Sequence, residues 1–110
     1  MGTLGEVVSE EPQCKILPNG TKEWRLNGNL HRLEGPAAEW ANGTKGWYTN
    51  GKFHRLDGPA YEHSNGTKIW YFKGKWLGSG DEGFWALWDL LDEEQRSDWK
   101  LLQYAPWVKR

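Results

Sequence analysis

Two histidines, each followed three residues later by a carboxylate, are the residues of this chain best suited to acid–base chemistry. His31 precedes Glu34 and His54 precedes Asp57, and an imidazole can share a proton with a carboxylate near neutral pH. A catalytic pair needs one site, whereas these pairs recur inside a longer repeated string. We therefore predict a structural role, in which the carboxylate accepts turn N–H bonds and the histidine closes the corner before a Gly-Pro pair. A hydrolase using His54 and Asp57 is the least favoured function.

The repeat has a period of 23 residues. Asn-Gly-Thr-Lys begins at Asn19, Asn42 and Asn65, and a tryptophan stands two residues after each lysine. A second string, His-Arg-Leu-Glu/Asp-Gly-Pro-Ala, occurs twice with the same separation, and the third copy has lost it at positions 77–83. Such a change is typical of a terminal repeat. The predicted structural corner of the repeat consists of His31, Arg32, Glu34, His54, Arg55 and Asp57.

Each repeat is predicted to form about two short strands joined by Asn-Gly turns. Both residues of that pair accept a positive φ at little cost, which suits a tight hairpin turn. Antiparallel strands in chain order form a meander. Strands are predicted near 22–26, 36–41, 45–49, 59–64 and 68–72, with a weaker one before Pro18.

Past Gly80 the apolar spacing changes to a helical period, from Phe84 through Leu91 to Trp99 and Leu102. Ser79 or Asp81 can cap the start, and a second helix can begin near Ser97. The predicted class is α+β, a β-meander followed by one amphipathic helix, or a helix pair, that packs on the sheet. The predicted divisions are 1–13, an acidic flexible N-terminus; 14–78, the repeat sheet of about 2.5 units; 79–105, the helical segment; and 106–110, a tail.

Strand alternation separates a core face from a surface. Trp24, Trp47 and Trp70 point one way as a core ladder, while residues one position later point the other way. The nine tryptophans compensate for few aliphatic residues, and some of them lie outside the ladder. Tyr, Trp and Arg are enriched at protein interfaces. The predicted binding surface consists of Arg25, Tyr48, Tyr71, Trp40, His63, Trp76 and Trp107.

The string from Trp47 to Ala60, with its Gly51-Lys52-Phe53-His54 spacing, resembles the MORN repeat. The resemblance covers about residues 15–76 and is nearest to a variant found in many bacterial and bacteriophage proteins. This chain departs from ordinary MORN repeats where Arg55 replaces their second Gly after His, and in the Gly-Pro-Ala corner. The resemblance implies stacked β-hairpins that contact proteins or lipids, with no catalytic residue. The phage association implies a protein that acts on host machinery.

Other chemistries find little support. Cys14, His31, His54 and His63 lack the close spacing of a zinc site, and no cofactor is expected. The chain carries no phosphate-loop, dinucleotide or nucleophile-elbow motif. It has no apolar run long enough for a membrane span and no secretory signal at its start. Its single cysteine excludes an intrachain disulfide, so a cytoplasmic location is expected, in the host cell if the protein is phage-encoded.

Three functions follow in order of preference. The first is a non-enzymatic protein-interaction module, in its most specific form a phage-encoded inhibitor of a host defence protein. The second is a binder of single-stranded nucleic acid or a nucleotide, because residues 14–80 hold ten basic and five acidic residues beside their aromatics. The third is the hydrolase described above. Two copies of the chain can also be expected to form a homodimer by pairing their open sheet edges.

Overall fold

The computed structural model describes residues 11–106, which form ten short strands followed by three helices. Trp107 and most of the predicted acidic N-terminus lie outside this range. The strands are β1 (Gln13–Ile16), β2 (Lys22–Leu26), β3 (Asn29–Leu30), β4 (Ala38–Glu39), β5 (Lys45–Gly46), β6 (Tyr48–Thr49), β7 (Lys52–Phe53), β8 (Tyr61–Glu62), β9 (Lys68–Phe72) and β10 (Lys75–Ser79). The helices are α1 (Gly80–Leu90), α2 (Glu93–Arg96) and α3 (Trp99–Leu102).

The main sheet is an antiparallel meander in the order β1-β2-β4-β5-β8-β9-β10. Strand β3 pairs with β2, and β6 pairs with β7 as a separate two-stranded ribbon. The α+β prediction, a meander of hairpins with helices packed on it, is confirmed.

Two kinds of turn alternate along the sheet, and the repeat specifies both. At each Asn-Gly-Thr-Lys string the asparagine Oδ1 accepts the threonine N–H at 2.9 Å, as Asn42 does from Thr44. The second kind has two successive residues with positive φ, such as Asn50 (52°) and Gly51 (81°), which suits a two-residue hairpin turn. This second kind closes three hairpins: hairpin 1 (β2–β3), hairpin 2 (β6–β7) and hairpin 3 (β9–β10).

Several strands are shorter than predicted because each corner interrupts the pairing. The strands expected over 36–41 and 59–64 contain only two paired residues each, since Pro36 and Pro59 cannot donate to a ladder. The strand expected over 45–49 divides at Trp47, whose N–H donates to the carbonyl of Ala60 at 2.7 Å. The chain therefore turns away from the main sheet at Trp47 to form hairpin 2.

The helices pack against the last hairpin, where α1 lies on β9 and β10. Their core is formed by Trp70, Phe84, Leu87, Leu91 and Leu101. Ser79 occupies the N-cap position of α1 but its side chain makes no capping bond there. Within residues 11–106 no helix has the length and apolar character needed to cross a bilayer.

Past Leu91 the helix predicted to begin near Ser97 corresponds to α3, but α2 and the exposure of Trp99 were not predicted. Asp92 caps α2 through a capping box with Gln95, and Asp98 caps α3. Because α2 and α3 each begin at a new cap, their residues do not continue the helical spacing of α1. Different side chains therefore face the sheet. Trp99, predicted in the buried stripe, is therefore 70 % exposed, and Leu101 is buried instead.

Candidate contact surface on the open sheet face

The strand register defines two faces of the sheet, since directly paired antiparallel residues project to the same side. Trp70 of β9 lies on the side covered by α1, which we call the helix face. Residues one position away, such as Tyr71, project to the opposite side, which we call the open face. A charged row crosses the helix face in cross-strand register: Lys22, Glu39, Lys45, Glu62 and Lys68.

On the helix face, arginine covers tryptophan in the first two repeats. The guanidinium carbon of Arg32 lies 3.9 Å from the Trp24 ring centroid, and that of Arg55 lies 3.9 Å from Trp47. Both indoles are only half-buried, so the predicted core ladder is fully buried only at Trp70. Each arginine also donates to the carbonyl of its own corner proline, at 3.1 and 3.0 Å.

The second corner is the more tightly held of the two. Arg55 donates through Nε to Asp57 at 2.8 Å and lies 3.3 Å from Glu62. A Cβ at Gly58 would lie 2.5 Å from the Arg55 guanidinium carbon, so glycine is what admits this stacking. Tyr104 completes the enclosure by donating its hydroxyl to Glu62 at 3.1 Å.

The two corner histidines join neighbouring hairpins. His31 Nδ1 accepts the N–H of Asn50 at 3.0 Å, and His54 Nδ1 accepts the N–H of Lys73 at 2.9 Å. Each bond reaches the turn of the next hairpin, 19 residues away, whereas we predicted that the histidine closes its own corner. The predicted carboxylate role also differs, because Asp57 binds the Arg55 guanidinium and not a turn N–H.

These bonds bear on the acid–base interpretation. Burial, and then the nearby Lys73 ammonium, lower the pKa of His54 below its ordinary value. A neutral imidazole suits its role as an acceptor at Nδ1. His54 and Asp57 both line a groove of about 580 Å³ with Trp47 at its side, but each already has the structural partner described above. Both side chains therefore make structural contacts in the folded chain.

On the open face, three aromatic side chains of hairpins 2 and 3 form a stack, and a fourth stands opposite one of them on the neighbouring strand. Tyr48 and Phe53 are cross-strand partners whose ring centroids lie 4.3 Å apart. Phe53 stacks in turn on Tyr71 of hairpin 3 at 4.6 Å. Tyr71 is the cross-strand partner of Trp76, which is 60 % exposed. We call Tyr48, Phe53, Tyr71 and Trp76 the aromatic ladder.

A second group of side chains adjoins the ladder. Tyr61 contacts Phe53 edge-on at 5.9 Å and lies 6.3 Å from Trp40 and 6.1 Å from His63. Trp40 and Tyr48 approach the backbone at Gly46, where a Cβ would lie 3.0 Å or less from either ring. The sheet thus carries both groups on one continuous face.

The open face gathers six of the seven residues predicted to bind. Arg25 lies on the open side of β2 in hairpin 1, with its guanidinium 3.0 Å from Glu23 and 2.8 Å from the Gly28 carbonyl. Burial, and then the neighbouring Tyr71 and Tyr61, raise the pKa of Tyr48, so its hydroxyl remains protonated and able to donate. The predicted residues gathered here are Arg25, Tyr48, Tyr71, Trp40, His63 and Trp76.

The sequence did not predict Phe53 and Tyr61, whose rings contact four of these six residues. Phe53 stands 23 residues after Leu30 and 23 before Trp76, opposite Tyr48 across an Asn-Gly turn. That cross-strand pairing was available from the hairpin signal. Tyr61 follows the second Gly-Pro-Ala corner where the first repeat has Ala38, so its aromatic character is not part of the repeat.

Among residues 11–106, no cluster of three or more His, Cys, Asp or Glu side chains is arranged to hold a metal ion. Cys14 is exposed on β1.

The comparisons with known proteins found no family model, no curated protein and no solved structure that matches this chain.

Proposed function

We propose that this protein is a non-enzymatic protein-contact module of the cytoplasm that binds its partner through the open face. The observation that carries the proposal is the division of the sheet into two faces. The helix face is occupied by α1 and by arginine stacked on tryptophan. The open face holds the aromatic ladder, which ends in an exposed indole.

The chemistry of the ladder favours a protein over a nucleic acid. Base stacking needs free ring faces, but the Phe53 ring is stacked on both sides, by Tyr48 and Tyr71. The ladder therefore offers ring edges, tyrosine hydroxyls and one open indole, a composition typical of protein interfaces. Single-stranded nucleic acid remains the second candidate, and its binding would be recognised by a steep dependence on salt concentration.

The resemblance to a repeat of phage proteins supports a narrower form of the proposal, in which the partner is a host defence protein. A compact module without catalytic residues would inhibit such a protein by occupying its surface. Expression in a host whose defence restricts a phage should then raise the plating efficiency of that phage, and a variant defective on the open face should not.

The test is affinity capture from the lysate of the natural host, with identification of bound proteins by mass spectrometry. The matched bait is the double variant Tyr48→Ala/Tyr71→Ala, whose fold is checked by circular dichroism before use. We expect a protein retained by the native chain and lost from the folded double variant. Retention of the same proteins by both baits would contradict the use of the open face.

A further inference from the structure

Hairpins 1, 2 and 3 form an array in which each hairpin docks on the one before it. The turn glycine of the later hairpin donates its N–H to a carbonyl of the earlier one. Gly51 donates to Leu30 at 2.9 Å, and Gly74 donates to Phe53 at 2.8 Å. The same backbone bond is therefore made twice at positions 23 residues apart.

Side chains repeat the docking contact as well. The turn glycine lies against the residue that precedes the accepting carbonyl, Gly51 against Asn29 and Gly74 against Lys52. The tyrosine of hairpin 3 also stacks on the aromatic residue of hairpin 2, as Tyr71 does on Phe53. An earlier hairpin thus receives a later one twice through a carbonyl and the residue before it. At the second contact, between hairpins 2 and 3, an aromatic stack is added.

Hairpin 3 presents a third copy of this receiving surface. Lys75 and Trp76 stand where Asn29 and Leu30 stand in hairpin 1, and where Lys52 and Phe53 stand in hairpin 2. Both residues are exposed, with Trp76 at 60 %. Within residues 11–106, β10 pairs with β9 alone and ends the sheet. The docking contact made twice inside the chain therefore has a third position whose surface faces solvent.

We propose that Lys75 and Trp76 form a docking position for a β-hairpin of a partner protein that carries an aromatic residue where this chain carries Tyr48 and Tyr71. The inference rests on the proposed function and names the kind of partner. Leu77 replaces the histidine of the earlier hairpins, so the guest is held by ring stacking on Trp76 and by backbone bonds at the β10 edge.

A second copy of this chain fits the position less well than a different protein. Head-to-tail extension would require hairpin 1 of the second copy to dock on Trp76. Strand β1 pairs with the outer edge of β2 in that hairpin, from Gln13 opposite Arg25 to Ile16 opposite Lys22. Among the described residues 11–106, β1 thus occupies the sheet edge at one end of the array, and no strand occupies the β10 edge at the other end.

The probe for this position is a synthetic hairpin that reproduces residues 45–55, closed by a disulfide between cysteines added at its ends. It is titrated into the full-length, ¹⁵N-labelled protein while the indole N–H signals are followed by NMR. We expect a saturable shift of the Trp76 indole and of the Lys75 and Trp76 amides, with Kd of about 1 mM or tighter. The exposed Trp99 indole should not shift.

Two variants make the result specific. A peptide with Tyr48→Ala should bind at least about tenfold more weakly, and Trp76→Ala should abolish binding by a protein that keeps its dispersed spectrum. Absence of a shift, or a shift of equal size with the Tyr48→Ala peptide, would overturn the inference. So would a Trp76 shift that grows with protein concentration alone, or one produced by oligothymidylate and not by the peptide. Failure here, with a host protein still captured through Tyr48 and Tyr71, would leave the proposed function standing.

Discussion

Trp47 and Trp70 hold the same position in successive repeats, but different groups cover them. Trp47 is half-buried beneath the Arg55 guanidinium, whereas Trp70 is 2 % exposed and meets the Phe84 ring edge-on at 5.6 Å. The position of Arg32 and Arg55 is taken in the third repeat by Gly78. The loss of one side chain therefore makes room for a helix.

The two coverings belong to two positions in the repeat array, its interior and its end. An arginine lid covers an indole and still interacts with water at its rim, which suits a unit with neighbours on both sides. The last unit must instead bury its tryptophan against new apolar surface, and α1 supplies it with Phe84 and Leu87. On the open face the repeat pattern continues through hairpin 3. The last repeat therefore departs from the others on the helix face only.

A tryptophan covered by the helix should contribute more to the free energy of unfolding than one covered by an arginine. Trp70→Ala should cost about 3–5 kcal/mol of the free energy of unfolding, because it empties the helix core. Trp24→Ala should cost about 1–2 kcal/mol, since that indole is half-buried and covered by a flexible side chain. Urea unfolding of both variants measures the difference, and equal losses would show that the arginine lid stabilises as much as the helix.

A smaller change tests the close approach of α1. A Cβ at Gly83 would collide with the Trp70 ring and the Gly78 carbonyl, so Gly83→Ala should cost about 1–3 kcal/mol despite the higher helix propensity of alanine. Glu82→Ala, on the exposed side of the same turn, is the control and should change stability by about 0.5 kcal/mol or less. A stable Gly83→Ala protein would mean that the helix sits farther from the sheet.

The arginine lids themselves should differ in strength. The Arg55 side chain is 12 % exposed and has two carboxylate partners, while that of Arg32 is 28 % exposed and lies 3.8 Å from Glu39. Lysine keeps the charge but loses the planar stacking. We expect about 1–2 kcal/mol for Arg55→Lys and about 0.5–1 kcal/mol for Arg32→Lys, from thermal unfolding. The reverse order would contradict the role of the enclosed carboxylates.

The smallest effect concerns the bond from hairpin 3 to His54. Because the folded-state pKa of His54 is lowered, the unfolded chain binds this proton more readily. The contribution of the neutral imidazole is complete above about pH 6.5 and is lost as pH falls toward the lower folded-state value. The urea midpoint should therefore fall from pH 7.5 to pH 5.5 by more in the native chain than in His54→Asn, which keeps a non-titrating acceptor. Identical decreases would exclude this contribution.

Much of the fold could be predicted because the same pattern of turns and strands recurs in each repeat. The 23-residue period placed the turns, the alternation separated Trp70 from Tyr71, and the change of period after Gly80 predicted the helix. The bridge from His54 to Lys73 was not predictable, because a hydrogen bond between neighbouring hairpins depends on how they twist against each other. The exposure of Trp99 was also missed, since a cap at Asp98 resets the helical phase without altering the apolar spacing that precedes it.

Two exposed tryptophans distinguish a partner bound on the open face from one bound on the helical side. Trp76 belongs to the aromatic ladder and Trp99 to α3, and both are largely exposed. The measurement is the Kd of the captured host protein for Trp76→Ala and for Trp99→Ala. We predict a loss of affinity of about tenfold or more for Trp76→Ala and less than about twofold for Trp99→Ala. Equal losses, or a greater loss for Trp99→Ala, would contradict the assignment of the open face.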